Sequence, residues 1–210
     1  MAARKNSVPI VLLATCLLLS GCKDGFDEKS FQTITLTFAP VKTKLPSSYV
    51  FISPNAFIDT VRFSDLPDPS VKKYLDELYM LQSETNEVDI YITRDIDFPA
   101  VIFFSRRDFT PINKYTLRLS TERIETILAN TTRKTEIRTN RMEARIFERS
   151  ESMIAKLKYR ISGPDFTYYK TQYYISSGRT DETYVVTFEN TEEEDLESLI
   201  FSMIIDPPID

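Results

Sequence analysis

The sequence predicts an α+β fold, a mostly antiparallel β-sheet packed with about three helices, in one domain that follows a signal peptide. Three observations predict it. Several segments alternate apolar and polar residues with period two, the mark of half-buried strands. Three other segments carry apolar residues at helical spacing behind recognisable helix starts. The strand-like segments of the second half are separated only by short turns such as Gly163-Pro164-Asp165 and Ser177-Gly178, which suit hairpins.

At the start of the chain, Arg4 and Lys5 precede the apolar run from Val8 to Leu19. A run of about twelve residues falls short of the roughly twenty that a spanning helix needs, so residues 1–21 read as a signal peptide. Leu19-Ser20-Gly21-Cys22 then resembles the lipobox of bacterial lipoproteins, a bulky apolar residue and two small ones before a cysteine. That resemblance implies a diacylglyceryl thioether on Cys22, cleavage before it, and acylation of the new amino group with a chain such as palmitate. Two or three acyl chains hold a protein stably on a membrane. The acid-rich stretch Lys23 to Glu28 opens a flexible tether over residues 22–30. It is similar to the signal that sends some lipoproteins to the outer face of the outer membrane. The implied address is therefore the cell envelope, at the outer membrane of a Gram-negative bacterium.

Residues 31–210 are expected to form the globular domain. Ile34, Leu36 and Phe38 alternate with threonines in a first strand, and Tyr49 to Ile52 is a second short one. Asp68 and Pro69 mark a helix start, with Val71, Tyr74, Leu75 and Leu78 at helical spacing to about residue 83. Val88, Ile90 and Ile92 alternate, while Ala100 to Phe104 is a continuous apolar run suited to a strand buried on both faces. Ser120 or Thr121 can cap a second helix carrying Ile124, Ile127, Leu128 and Thr131 on one face. Met142, Ala144 and Ile146 lie on one side of a strand, and Met153, Ala155, Leu157, Tyr159 and Ile161 on one side of the next. Two aromatic strands follow near Phe166–Tyr169 and Gln172–Ile175, then Thr183 to Phe188. Thr191 and Glu194 match a capping box for a last helix, with Leu196, Leu199, Ile200, Met203 and Ile204 on one face.

This order of elements, from residue 120 to 205 above all, resembles the PsbP-like α/β/α sandwich, without a diagnostic motif. The resemblance implies an assembly or binding module and carries over no functional residue. Fold alone does not fix function.

Composition narrows the chemistry. The 42% of hydrophobic residues, with only four glycines, suffice for a packed core rather than a disordered chain. Histidine is absent, which excludes serine–histidine and cysteine–histidine catalysis and removes the usual imidazole metal ligand. Cys16 lies in the leader and Cys22 at its end, so a lipidated mature domain has no free thiol and forms no disulfide. The formal charge of −5 falls to −7 without Arg4 and Lys5, a balance opposite to that of nucleic-acid binders. No Gly-rich phosphate loop or metal-ligand cluster suggests a cofactor, and none is expected.

Two features remain as candidates for recognition. Tyr168, Tyr169, Tyr173, Tyr174 and Tyr184 crowd adjacent strands, where an outward half could dock a protein or glycan partner. The second is basic: Arg133 to Arg160 holds nine basic and four acidic residues, whereas the chain after Arg179 has ten acids and no base. If Arg149 to Ser152 forms a four-residue loop, opposed residues of the hairpin have numbers summing to 301. Arg145 then faces Lys156, Glu143 faces Lys158 and Arg141 faces Arg160. Arg141, Arg145, Lys156, Lys158 and Arg160 would form an outer stripe able to seat an anionic partner, unless acids elsewhere in the chain offset it. On this view Arg145→Glu with Lys156→Glu leaves the fold intact. The expected function is a membrane-anchored, non-catalytic binding or assembly lipoprotein. The alternative is an envelope hydrolase working through carboxylates, for which Asp65 with Asp68 or Asp95 with Asp97 are the acidic pairs to consider.

Overall fold

Among the described residues, ten strands and two helices carry the expected α+β architecture, and every strand pairing is antiparallel. The computed structural model describes residues 31–52, 77, 80–81, 87–93, 99–133, 135–149, 151–178, 180–194 and 196–205. The strands are β1 (Phe31–Thr35), β2 (Val41–Pro46), β3 (Tyr49–Phe51), β4 (Val88–Thr93), β5 (Val101–Asp108), β6 (Arg138–Arg149), β7 (Ser152–Ser162), β8 (Thr167–Ser177), β9 (Glu182–Asn190) and β10 (Ile204–Ile205). The helices are α1 (Lys114–Thr132) and α2 (Glu197–Ser202). A seven-stranded sheet runs β3-β4-β5-β9-β8-β7-β6, and a small sheet runs β1-β2-β10. Glu77, Met80 and Leu81 are helical, and the rest of the helix expected near residues 69–83 lies outside the described residues. So do both acidic pairs, Asp65 with Asp68 and Asp95 with Asp97, and all of residues 1–30.

The large sheet is covered on both faces. On one, Phe104, Tyr173, Ile175, Tyr184, Val186 and Phe188 pack against Val41 and Leu45 of the small sheet and Leu199 and Ile200 of α2. On the other, Leu157, Tyr159 and Ile161 pack under Leu117, Ile124 and Leu128 of α1. Strand alternation explains the division, since neighbouring residues of one strand point to opposite faces. The continuous apolar run at the start of β5 is central, between β4 and β9, with Val101, Ile102 and Phe104 all buried. None of the five crowded tyrosines forms an open aromatic face. Tyr173 and Tyr184 are buried in the core, and Tyr168, Tyr169 and Tyr174 are half-buried. The two aromatic strands are one continuous strand, β8.

Three differences from the sequence expectation have local causes. β1 ends at Thr35 because the chain turns back at once into β2, with Leu36 N–H donating to the Val41 carbonyl at 2.9 Å. α1 begins at Lys114, well before Ser120. Asn113 Oδ1 accepts from the backbone N–H groups of Tyr115 and Thr116, and Thr116 Oγ1 accepts from Asn113 N–H, a reciprocal capping box. Thr121 instead donates to the Leu117 carbonyl within the helix, and Ile127 is exposed. α2 is shorter than its stripe suggested. It starts at Glu197 with no side-chain cap, and Ile204 leaves the helix to pair with Lys42 in β10. The expected capping box does not form, because Glu194 accepts from Asn190 Nδ2 and Glu193 is drawn to Lys158.

Among the described residues, one carboxylate is fully buried. Asp89 on β4 accepts from both the backbone N–H and the hydroxyl of Thr37, just past the end of β1. Burial pushes its pKa above the ordinary 3.8, while the two Thr37 hydrogen bonds pull it back. An acid held above its unfolded value stabilises the fold fully only below that value and loses the contribution as pH rises through the raised one. Relative to Asp89→Asn, which removes the charge, the wild-type protein should lose stability as pH rises from the ordinary carboxylate value through the raised one. Parallel urea titrations of the two proteins across that range check it, and a pH-independent difference would contradict it.

Candidate functional site

The β6–β7 hairpin carries every basic residue the sequence marked, and its register decides where each one points. From Glu143↔Lys158 to Arg149↔Ser152 the paired numbers sum to 301, with Arg145 opposite Lys156. At Met142 the register shifts through a β-bulge, so Arg141 pairs with Tyr159 and Asn140 with Arg160. Arg141 is therefore not opposed to Arg160. The inserted residue turns Arg141 to the face of Tyr159 and α1, while Glu143 and Arg145 stay on the face of Lys156 and Lys158. Met142 itself is exposed at the bulge rather than packed inward.

The strand face expected to meet solvent is packed under the acidic segment that leads into α2. Lys156 is 2% exposed, beside the Tyr173 ring. Its ammonium lies 2.7 Å from a Glu197 oxygen and 3.0 Å from a Glu143 oxygen. Arg145 pairs with the same two carboxylates. Lys158, also buried, meets Glu193 at 2.8 Å. Side chains further along β6 fasten the helix: Phe147 packs edge-to-face on Phe201, and Arg149 lies over the Phe201 ring and donates to the Ile200 carbonyl. The basic hairpin and the acid-rich end of the sequence are thus partners within one chain. Of the five marked residues, Arg141 and Arg145 on β6 and Arg160 on β7 are exposed, while Lys156 and Lys158 are buried.

Arg141 belongs to a different place. Between α1 and the hairpin lies a cavity of about 320 Å³ lined by Glu125, Leu128, Ala129 and Thr132 of α1 and by Thr139, Arg141 and Tyr159 of the strands. Arg141 donates to Glu125 at 3.0 Å across its mouth. Tyr159 is 0% exposed, yet its hydroxyl has no hydrogen-bond partner, and neither has the buried hydroxyl of Thr139. Burial and the Glu125 charge push the Tyr159 hydroxyl up to about 12, with Arg141 opposing. Sequence reasoning marked Arg141 but missed Glu125, Thr139 and Tyr159. Tyr159 read simply as core, and nothing in the residue pattern signals the bulge that brings Arg141 to it.

No family model matches this sequence, and no curated protein matches it. Solved structures share the fold. CyanoP, the cyanobacterial PsbP of Synechocystis sp. PCC 6803, matches with a TM-score of 0.52 at 10% identity, over 89% of this chain and 98% of its own. The Ran-binding protein Mog1p of Saccharomyces cerevisiae matches with 0.50 at 8% identity, over 84% and 96%. A point mutant of Mog1 gives 0.52 at 8% identity, over 85% and 97%. The fold is PsbP-like.

Proposed function

We propose that this chain is a lipid-anchored envelope lipoprotein whose PsbP-like domain is a non-catalytic binding or assembly module. The fold supports the module half of this reading, since one neighbour of that fold is named as a Ran-binding protein. Leu19-Ser20-Gly21-Cys22 supports the anchor, with the acid-rich tether as the basis for an outer-membrane address. The partner is an envelope protein or glycan, and the acidic balance of the chain argues against nucleic acid. Within the hairpin, Arg160 and the exposed part of Arg145 are open to an anionic partner, whereas Lys156 and Lys158 are reached only by displacing Glu197 and Glu193.

Replacing Cys22 by Ser should abolish incorporation of an alkyne fatty acid and leave an uncleaved precursor or a released protein. Metabolic labelling measures this, and label retained in the Cys22→Ser protein would refute the anchor. Cross-linking in intact cells followed by capture tests the module. A specific envelope partner supports it, and turnover of an envelope glycan by the purified protein would replace it with the hydrolase.

A further inference from the structure

We propose that the cavity between α1 and the β6–β7 hairpin is a binding site for a neutral polyhydroxylated ligand, a single sugar residue. The inference rests on the binding-module reading and narrows what the module holds. Tyr159 and Thr139 line the cavity, and their buried hydroxyls, Tyr159 Oη and Thr139 Oγ1, have no hydrogen-bond partner within the protein. Buried polar groups are nearly always hydrogen-bonded, and an orphaned one costs free energy, so a polar guest that reaches either hydroxyl gains by pairing with it. Each can donate and accept.

The charge at the mouth selects the class of guest. Glu125 and Arg141 neutralise each other at 3.0 Å. A phosphate or carboxylate drawn to Arg141 meets the repulsion of Glu125, and an ammonium drawn to Glu125 meets that of Arg141. A ligand hydroxyl suffers neither conflict. It donates to the Glu125 carboxylate while accepting from the Arg141 guanidinium, which still has N–H groups to offer, and the ion pair survives. Leu128 and Ala129 provide an apolar wall for the C–H face of a ring. The cavity, about 320 Å³, lies at the small end of the range for small-molecule sites, which suits one ring rather than a chain. Arg141 takes part only because the bulge at Met142 turns it to this face.

The test uses the full-length protein in detergent, with glucose, galactose, mannose and N-acetylglucosamine as probes and inorganic phosphate and glycine as charged controls. Ligand-observed NMR should show saturable binding of at least one sugar, weakened at least tenfold in Tyr159→Phe and in Glu125→Gln. The same sugar should raise the melting temperature of the wild-type protein and not that of Tyr159→Phe. Without ligand, Tyr159→Phe should melt at or above wild type, because an unpartnered hydroxyl has been removed. An oligosaccharide ending in the preferred sugar separates the sources: tighter binding than the free sugar points to a glycan end, and equal binding to the free sugar itself. The proposal is overturned if no probe sugar binds saturably, if phosphate or glycine binds in its place, if Tyr159→Phe binds the sugar as well as wild type, or if ligand-free Tyr159→Phe melts well below wild type. None of these readouts depends on the lipid anchor or on captured partners, so this site and the module reading can fail separately.

Discussion

Lys156→Glu should cost the domain about 3–5 kcal/mol, the range for breaking a buried ion pair and leaving charge uncompensated. The lysine is 2% exposed and sits between the carboxylates of Glu143 and Glu197. A glutamate there would bring a third carboxylate into the cluster that Arg145 now shares with Lys156. The change also strikes the contact between the large sheet and α2, so the helix should loosen with it. Arg160→Glu, on the same strand but exposed, should stay within about 0.5 kcal/mol of wild type. Urea midpoints of the two variants decide the matter, and similar midpoints would mean that the acidic segment does not cover the hairpin in solution. The expectation from sequence that Arg145→Glu with Lys156→Glu leaves the fold intact is thereby reversed, because it treated Lys156 as an outer residue.

Leu199→Ala should be the second large loss, at about 2–5 kcal/mol for a leucine removed from a packed core. Leu199 is 2% exposed and packs with Val41, Leu45 and the sheet. The carbonyl of Leu199 also accepts from the Thr43 hydroxyl, and Ser202 Oγ accepts from the Lys44 N–H, which tie α2 to β2. The cavity left by truncation therefore lies at the junction of three elements, where collapse is hardest. Glu193→Ala, which removes the half-exposed partner of buried Lys158, should cost less, about 1–3 kcal/mol for the ammonium left unpaired. Denaturant midpoints that rank the two in the opposite order would show that charge rather than packing holds this end of the chain.

Much of the fold was legible because its long strands alternate strictly. Leu157, Tyr159 and Ile161 on β7, and Tyr184, Val186 and Phe188 on β9, declare their faces by number alone, and the hairpin register followed from one loop length. β2 alternates just as strictly, with Val41, Thr43 and Leu45 set against Lys42 and Lys44, yet it was not picked out as a strand. The capping of α1 by Asn113 was missed because Ser120 and Thr121 offered a plausible start inside the helix. What could not be read was anything that depends on distant residues meeting. The basic block before Arg160 and the acidic block after Arg179 were both visible, but a single chain does not announce that Glu197 folds over Lys156. The bulge at Met142 was invisible for a different reason: the extra residue preserves the composition of the strand and changes only its phase.

The same bulge has a consequence for how the sheet ends. Within the described sheet β6 has a neighbour on one side only, and it is twelve residues long. Such an open margin exposes a row of backbone donors and acceptors that another polypeptide could zip onto. Along β6 that row is interrupted in phase at Met142 and carries charged side chains at 138, 141, 143, 145, 148 and 149. A straight strand from a second molecule would lose its pairing at the break and would have to desolvate those charges. At the opposite margin β3 spans only Tyr49–Phe51, too short to template much. Both ends of the seven-stranded sheet thus resist further strand addition, and with it fibrous association.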